Sequence, residues 1–83
     1  MDGSIAKVTL YSPNITRVYR FYKDQIYRSE CQPLSASLSV LSYSEFESRI
    51  KKDWKESQQC VFKYEDGHKE TFHLPLDISS KIP

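Results

Sequence analysis

Leu34-Ser35-Ala36-Ser37-Leu38-Ser39-Val40-Leu41-Ser42-Tyr43-Ser44-Glu45-Phe46-Glu47 is the stretch on which the fold turns, because two periods meet in it. From Leu34 to Leu41 apolar residues alternate with serine: Leu34, Ala36, Leu38 and Val40 against Ser35, Ser37, Ser39 and Leu41. A period of two is that of a strand with one buried face. The expectation is a strand over Leu34–Leu41 with Leu38 and Val40 in the core and the serines outside. From Ser42 the period changes. Phe46, Ile50 and Trp54 follow at i, i+4 and i+8, one stripe of a helix, with Arg49, Lys51, Lys52 and Lys55 off it. Ser42 with Glu45, and Ser44 with Glu47, each fit a capping box. Early acids and late bases also suit the helix dipole. The helix should end near Glu56-Ser57.

Upstream, Ile5–Tyr11 reads as a strand, with Ala6, Val8 and Leu10 on one face. Ser12-Pro13-Asn14 is a turn, since proline presets φ and asparagine tolerates left-handed geometry. Ile15–Tyr22 is rich in β-branched and aromatic residues and forms a second strand, paired with the first as a hairpin. Lys23-Asp24-Gln25 turns the chain into a third strand, Ile26–Cys31, which Gln32-Pro33 ends. Downstream, Gln59–Tyr64 places Cys60, Phe62 and Tyr64 opposite Val61. Glu65-Asp66-Gly67 makes a hairpin turn, and His68–Leu74 returns with Phe72 and Leu74 inward. The expected core is Val8, Leu10, Val18, Leu38, Val40, Phe46, Ile50, Trp54, Phe62, Phe72 and Leu74. The expected fold is α+β: a small antiparallel or mixed sheet of four to six strands, with one amphipathic helix on one face.

The chain has 83 residues, enough for one domain with one modest core, ordered over about 5–76 and ending in a tail over 77–83. Aromatic residues at 13% argue against disorder. A net charge of +1 leaves any electrostatic function to local patches. No apolar run approaches a membrane span, and the start lacks a signal-peptide pattern, so a cytoplasmic or nuclear setting is expected and no membrane partner. In such a compartment Cys31 and Cys60 are thiols, and Asn14-Ile15-Thr16 is a turn rather than a glycosylation site. The chain is expected to be part of a larger scaffold or regulatory protein.

Chemistry is sparse. Cys31, Cys60, His68 and His73 lack the paired short spacing of a zinc site, and no metal or cofactor is expected. Cys60 and His73 on neighbouring strands could form a nucleophile pair, but a catalytic thiol needs a cleft and an oxyanion hole. With Gly3 and Gly67 the only glycines, phosphate loops and nucleophile elbows are implausible. The expectation is a non-catalytic module. Two groups are singled out for binding. The basic and aromatic group is Arg17, Tyr19, Arg20 and Lys23, where arginines interleave with rings. The acidic group is the turn residues Glu65 and Asp66. The first group could also hold phosphates and stack bases, so a single-stranded nucleic-acid module is the alternative. Acids at Glu65, Asp66 and Glu70 weigh against it. The serines from Ser35 to Ser48 are outward positions and caps; phosphorylation at Ser42 or Ser44 would suit a helix N-terminus.

The segment Phe62-Lys63-Tyr64-Glu65-Asp66-Gly67-His68 resembles the acidic hairpin of PB1 domains, which are ubiquitin-like interaction modules. Ser44-Glu45-Phe46-Glu47-Ser48-Arg49-Ile50 is similar to their helix. The resemblance covers roughly Tyr43 to Leu76. It implies an acidic turn that pairs with a basic strand residue on a partner, with Lys7 or Arg17 in that place. Polo-box-like and Tudor-like strands resemble the same hairpin. The reading that follows is protein–protein recognition or self-association, through a charged patch or an exposed sheet edge.

Overall fold

The computed structural model describes residues 4–73. Its elements are β1 (Ile5–Tyr11), β2 (Thr16–Tyr22), β3 (Gln25–Gln32), β4 (Ser35–Leu41), α1 (Tyr43–Lys55), β5 (Gln59–Tyr64) and β6 (Lys69–His73). All six strands form one antiparallel sheet in the order β4-β3-β2-β1-β5-β6, with α1 packed on one face. The architecture is α+β. The first four strands meander outward, and α1 then carries the chain back so that β5 adds beside β1. The expected strands are present with ends shifted by a residue or two. His68 belongs to the turn rather than to β6. Leu74 and the segment expected as a tail lie outside the described residues.

The helix begins where its caps place it. The Glu45 backbone N–H donates to Ser42 Oγ at 3.2 Å, and the Ser42 backbone N–H donates to Glu45 Oε1 at 2.9 Å. Two N–H groups without helical partners are thereby satisfied. Of the two candidate boxes, the Ser42–Glu45 pair is the one formed.

The core lies between α1 and the sheet. It comprises Ile5, Val8, Leu10, Tyr19, Phe46, Ile50, Cys60 and Phe62, with Phe21, Ile26, Leu41, Trp54, Tyr64 and Phe72 packed at its margin. Phe46 meets Tyr19 and Phe21 edge to face, with ring centroids 5.5 and 5.2 Å apart. Ile5 enters the core because the β1–β5 register shifts between Ile5 and Lys7. That bulge moves Ile5 onto the face of Val8 and Leu10, against strict alternation.

Three expected core members lie elsewhere. Directly opposed residues in a sheet share a face. Leu38 opposes Ser29, Val40 opposes Tyr27, and Val18 opposes Thr9 and Ser29, all on the face without the helix. Leu38 and Val40 are 68% and 58% exposed. The alternation in β4 is real, but its apolar side points away from α1 and its serines point toward the helix face. The sequence of one strand shows that it has two sides, not which of them the helix will cover.

Candidate functional site

The sheet sorts its charges by face, and that sorting separates the residues singled out in the sequence. Arg17 and Tyr19 share the helix face and are buried, Tyr19 completely. There they meet Arg28 from β3 and Asp53 from α1. Arg28 grips Asp53 with two bonds, Nε to Oδ2 at 2.9 Å and Nη2 to Oδ1 at 3.2 Å. The Tyr19 hydroxyl donates to the same Asp53 Oδ2 and accepts from Arg28 Nε at 3.2 Å. Arg17 lies 3.6 Å from Asp53, 3.3 Å from Glu30 and 3.1 Å from Glu56. Arg28 also reaches Glu30 at 3.3 Å. Two buried cations are thus matched by Asp53, Glu30 and the half-exposed Glu56, and no buried side-chain N or O among the described residues lacks a partner.

This network fixes α1 on the sheet and occupies Arg17 and Tyr19, so neither is offered to a ligand. Burial opposes the charge on Arg28, but hydrogen bonds to Asp53 and Tyr19 outweigh it and raise its pKa. Tyr19 is likewise raised, first by burial and then by its bond to Asp53. Asp53 carries a signal in its position: it is three residues after Ile50 and so falls on the buried stripe of the helix. An acid at such a position requires basic partners on the facing strands.

Arg20 and Lys23 are placed differently. Arg20 is on the helix-free face of β2. Lys23 occupies the turn between β2 and β3 with φ at 54°, its Nζ 5.3 Å from the centre of the exposed Tyr22 ring. The acidic pair sits in the exposed turn between β5 and β6, at the same end of the sheet as Lys23. Asp66 accepts from the His68 backbone N–H at 3.0 Å, a bond that holds its carboxyl below the ordinary 3.8. Tyr64 stacks on His68, centroids 4.2 Å apart. The four residues of the basic group therefore do not form one surface.

Two other surfaces stand out. The first is the edge strand β4. Its residues are exposed except for the partly buried Leu41, and no charged side chain occurs from Cys31 to Ser44. The opposite edge, β6, carries Lys69 and Glu70. The second is the helix-free face. Register places Lys69 opposite Lys63, Lys63 opposite Lys7, Lys7 opposite Arg20, and Arg20 opposite Tyr27. Four cations from four strands stand in one row. The strand acids Glu30 and Glu70 are on the other face, opposite Arg17 and Phe62. Lys7 is held below its ordinary 10.5, first by partial burial and then by Arg20, Lys63 and Lys69.

The thiol and imidazole considered as a nucleophile pair are also split by the pleat. Cys60 opposes Phe72 on the helix face, whereas His73 opposes Gln59 on the other. Burial pushes the Cys60 thiol up to about 12. No helix among the described residues is long and apolar enough to cross a membrane. Compared with protein-family models, with curated proteins and with solved structures, the chain matches none.

Proposed function

We propose that this chain is a protein-recognition module that binds by strand addition at β4, with a second copy of itself as the occupant. The observation that carries this reading is the uncharged, exposed β4 edge, with Leu38 and Val40 open to solvent. An edge strand presents unpaired N–H and C=O groups, and proteins ordinarily guard such edges with charge, proline or a bulge. The charged β6 edge is guarded by this criterion, and β4 between its ends is not. Antiparallel pairing of two β4 strands brings no like charges together, continues the hydrogen-bond ladder, and covers Leu38 and Val40 with their counterparts. The interface is isologous, as in most closed dimers.

Light scattering across a concentration series tests this. The mass should approach twice that of the monomer at high concentration and change little between low and high salt. Val40→Lys, which puts a guard on the edge, should hold the chain monomeric without loss of thermal stability at low concentration. A monomer at every concentration overturns the reading. Association that disappears in high salt instead favours the acidic turn, Glu65 and Asp66, pairing with a basic strand as the PB1 resemblance implies.

A further inference from the structure

The helix-free face holds a feature that edge pairing does not use. Lys69, Lys63, Lys7 and Arg20 occupy directly opposed positions on β6, β5, β1 and β2. At a strand spacing of about 4.8 Å, the row is roughly 14 Å long. Like charges directly opposite one another are destabilising, and three such contacts occur in succession. None of the four cations forms an ion pair with a described residue, although the chain has nearly as many acids as bases. The fold has placed its strand acids on the other face and left these cations facing each other. At the Arg20 end the row opens into a hollow of ≈ 470 Å³ whose walls include Lys7, Arg20, Tyr22, Tyr27 and Lys63. That volume is within the usual range for ligand sites, about 300–1,000 Å³. Tyr22 is 61% exposed.

We propose that this face binds single-stranded nucleic acid. Phosphates lie along Lys69, Lys63, Lys7 and Arg20, and a base enters the hollow to stack on the exposed Tyr22. A line of cations tracks a chain of phosphates, and exposed rings beside it supply sequence-tolerant stacking. An acidic peptide would match the cations but has nothing to stack on the tyrosines. A lipid bilayer is flat, whereas the cations border a hollow that a flexible strand can enter. The face is distinct from the basic group read from sequence and shares only Arg20 with it.

The test is fluorescence anisotropy on the 83-residue chain with labelled mixed-sequence single-stranded RNA and DNA of about 12 nucleotides, against anionic phospholipid vesicles and polyglutamate. With four phosphates engaged, log K should fall against log salt with a slope near −3. Lys63→Gln should make that slope shallower by about 0.7. Tyr22→Ala should weaken oligonucleotide binding roughly tenfold with the slope unchanged. Lys51→Gln, on the exposed side of α1, should change nothing. Lys63→Gln should keep or raise the melting temperature, because it removes repulsion; lost binding then cannot be ascribed to unfolding. No anisotropy change at 50 mM salt and roughly 100 μM protein overturns the proposal. So does vesicle or polyglutamate binding of equal strength that Tyr22→Ala leaves unaffected.

Discussion

Asp53 is the acid on which Arg17, Arg28 and Tyr19 converge, and Glu30 completes the charge balance around the two arginines. A buried ion cluster of this kind adds little net stability over an apolar filling, but losing one partner strands the others. Glu30 makes the cluster sensitive to acid. Partial burial works to raise its pKa, but hydrogen bonds and attraction from Arg28, and then Arg17, prevail and lower it below 4.5. The sign follows from linkage. A carboxyl with a depressed folded pKa contributes stability that is fully present above its unfolded value and is lost as pH falls through the folded one. Urea unfolding between pH 7 and pH 3 should therefore show wild-type stability dropping below about pH 4.5 more steeply than that of Glu30→Gln. The exposed carboxyls Glu45 and Asp66 are lowered too, but they titrate in both proteins and cancel in the comparison. Parallel curves would mean that Glu30 takes no part in the cluster. At this scale the sequence was legible as residue types but not as roles. Arg17 and Tyr19 read as a binding strand because interleaved arginines and tyrosines look alike in a ligand site and in a buried network. Only Asp53, on the inner stripe of the helix, distinguished the two.

Among the elements, α1 and β4 were read from one continuous stretch with unequal success. The helix carried several independent signals: the Ser42–Glu45 box, the stripe of Phe46, Ile50 and Trp54, and bases in the last turn. These agree with one another and fix both its limits and its inward face. β4 carried one signal, alternation, which fixes the type of element but not which side is buried. That side depends on where α1 crosses the sheet, a long-range property absent from Ser35–Leu41 itself. The difference can be measured. Phe46 is enclosed by Tyr19 and Phe21, so Phe46→Ala should cost about 3–5 kcal/mol. Leu38 is mostly exposed, so Leu38→Ala in dilute, monomeric protein should fall within about 0.5 kcal/mol of wild type. Equal losses in denaturant titrations would mean that β4 buries its apolar side and that the sheet is covered on both faces.

For the whole molecule, a net charge of +1 concealed more than it revealed. Among the described residues the acids lie on the helix face of the sheet, on the helix and in the turns, which leaves the other face with a cationic row. That row was illegible because its two halves, Lys7 with Arg20 in one hairpin and Lys63 with Lys69 in another, are far apart in sequence and meet only through the long-range pairing of β1 with β5. The two proposed surfaces also have a joint consequence. Antiparallel pairing of β4 with β4 in one continuous sheet relates the copies by an axis perpendicular to that sheet, so both helix-free faces lie on the same side. Five strand intervals then separate Arg20 from its counterpart, roughly 24 Å. Sheet twist accumulated over those intervals turns one row against the other by roughly 100°. A stiff duplex cannot follow such a path, but a single strand can. In the dimer, binding should accordingly depend on oligonucleotide length: a strand long enough to reach both rows gains from effective concentration, and one that covers a single row does not. An increase in affinity of at least tenfold from 12 to about 30 nucleotides is expected for the wild type. In Ser37→Lys, an edge guard on the helix face opposite Glu30 and so outside the cationic row, the 12-nucleotide affinity should persist while the gain with length falls to the small statistical factor of extra binding positions. Length dependence equal in both proteins would show that the row binds without β4 pairing, and would separate the two surfaces as independent features of one small sheet.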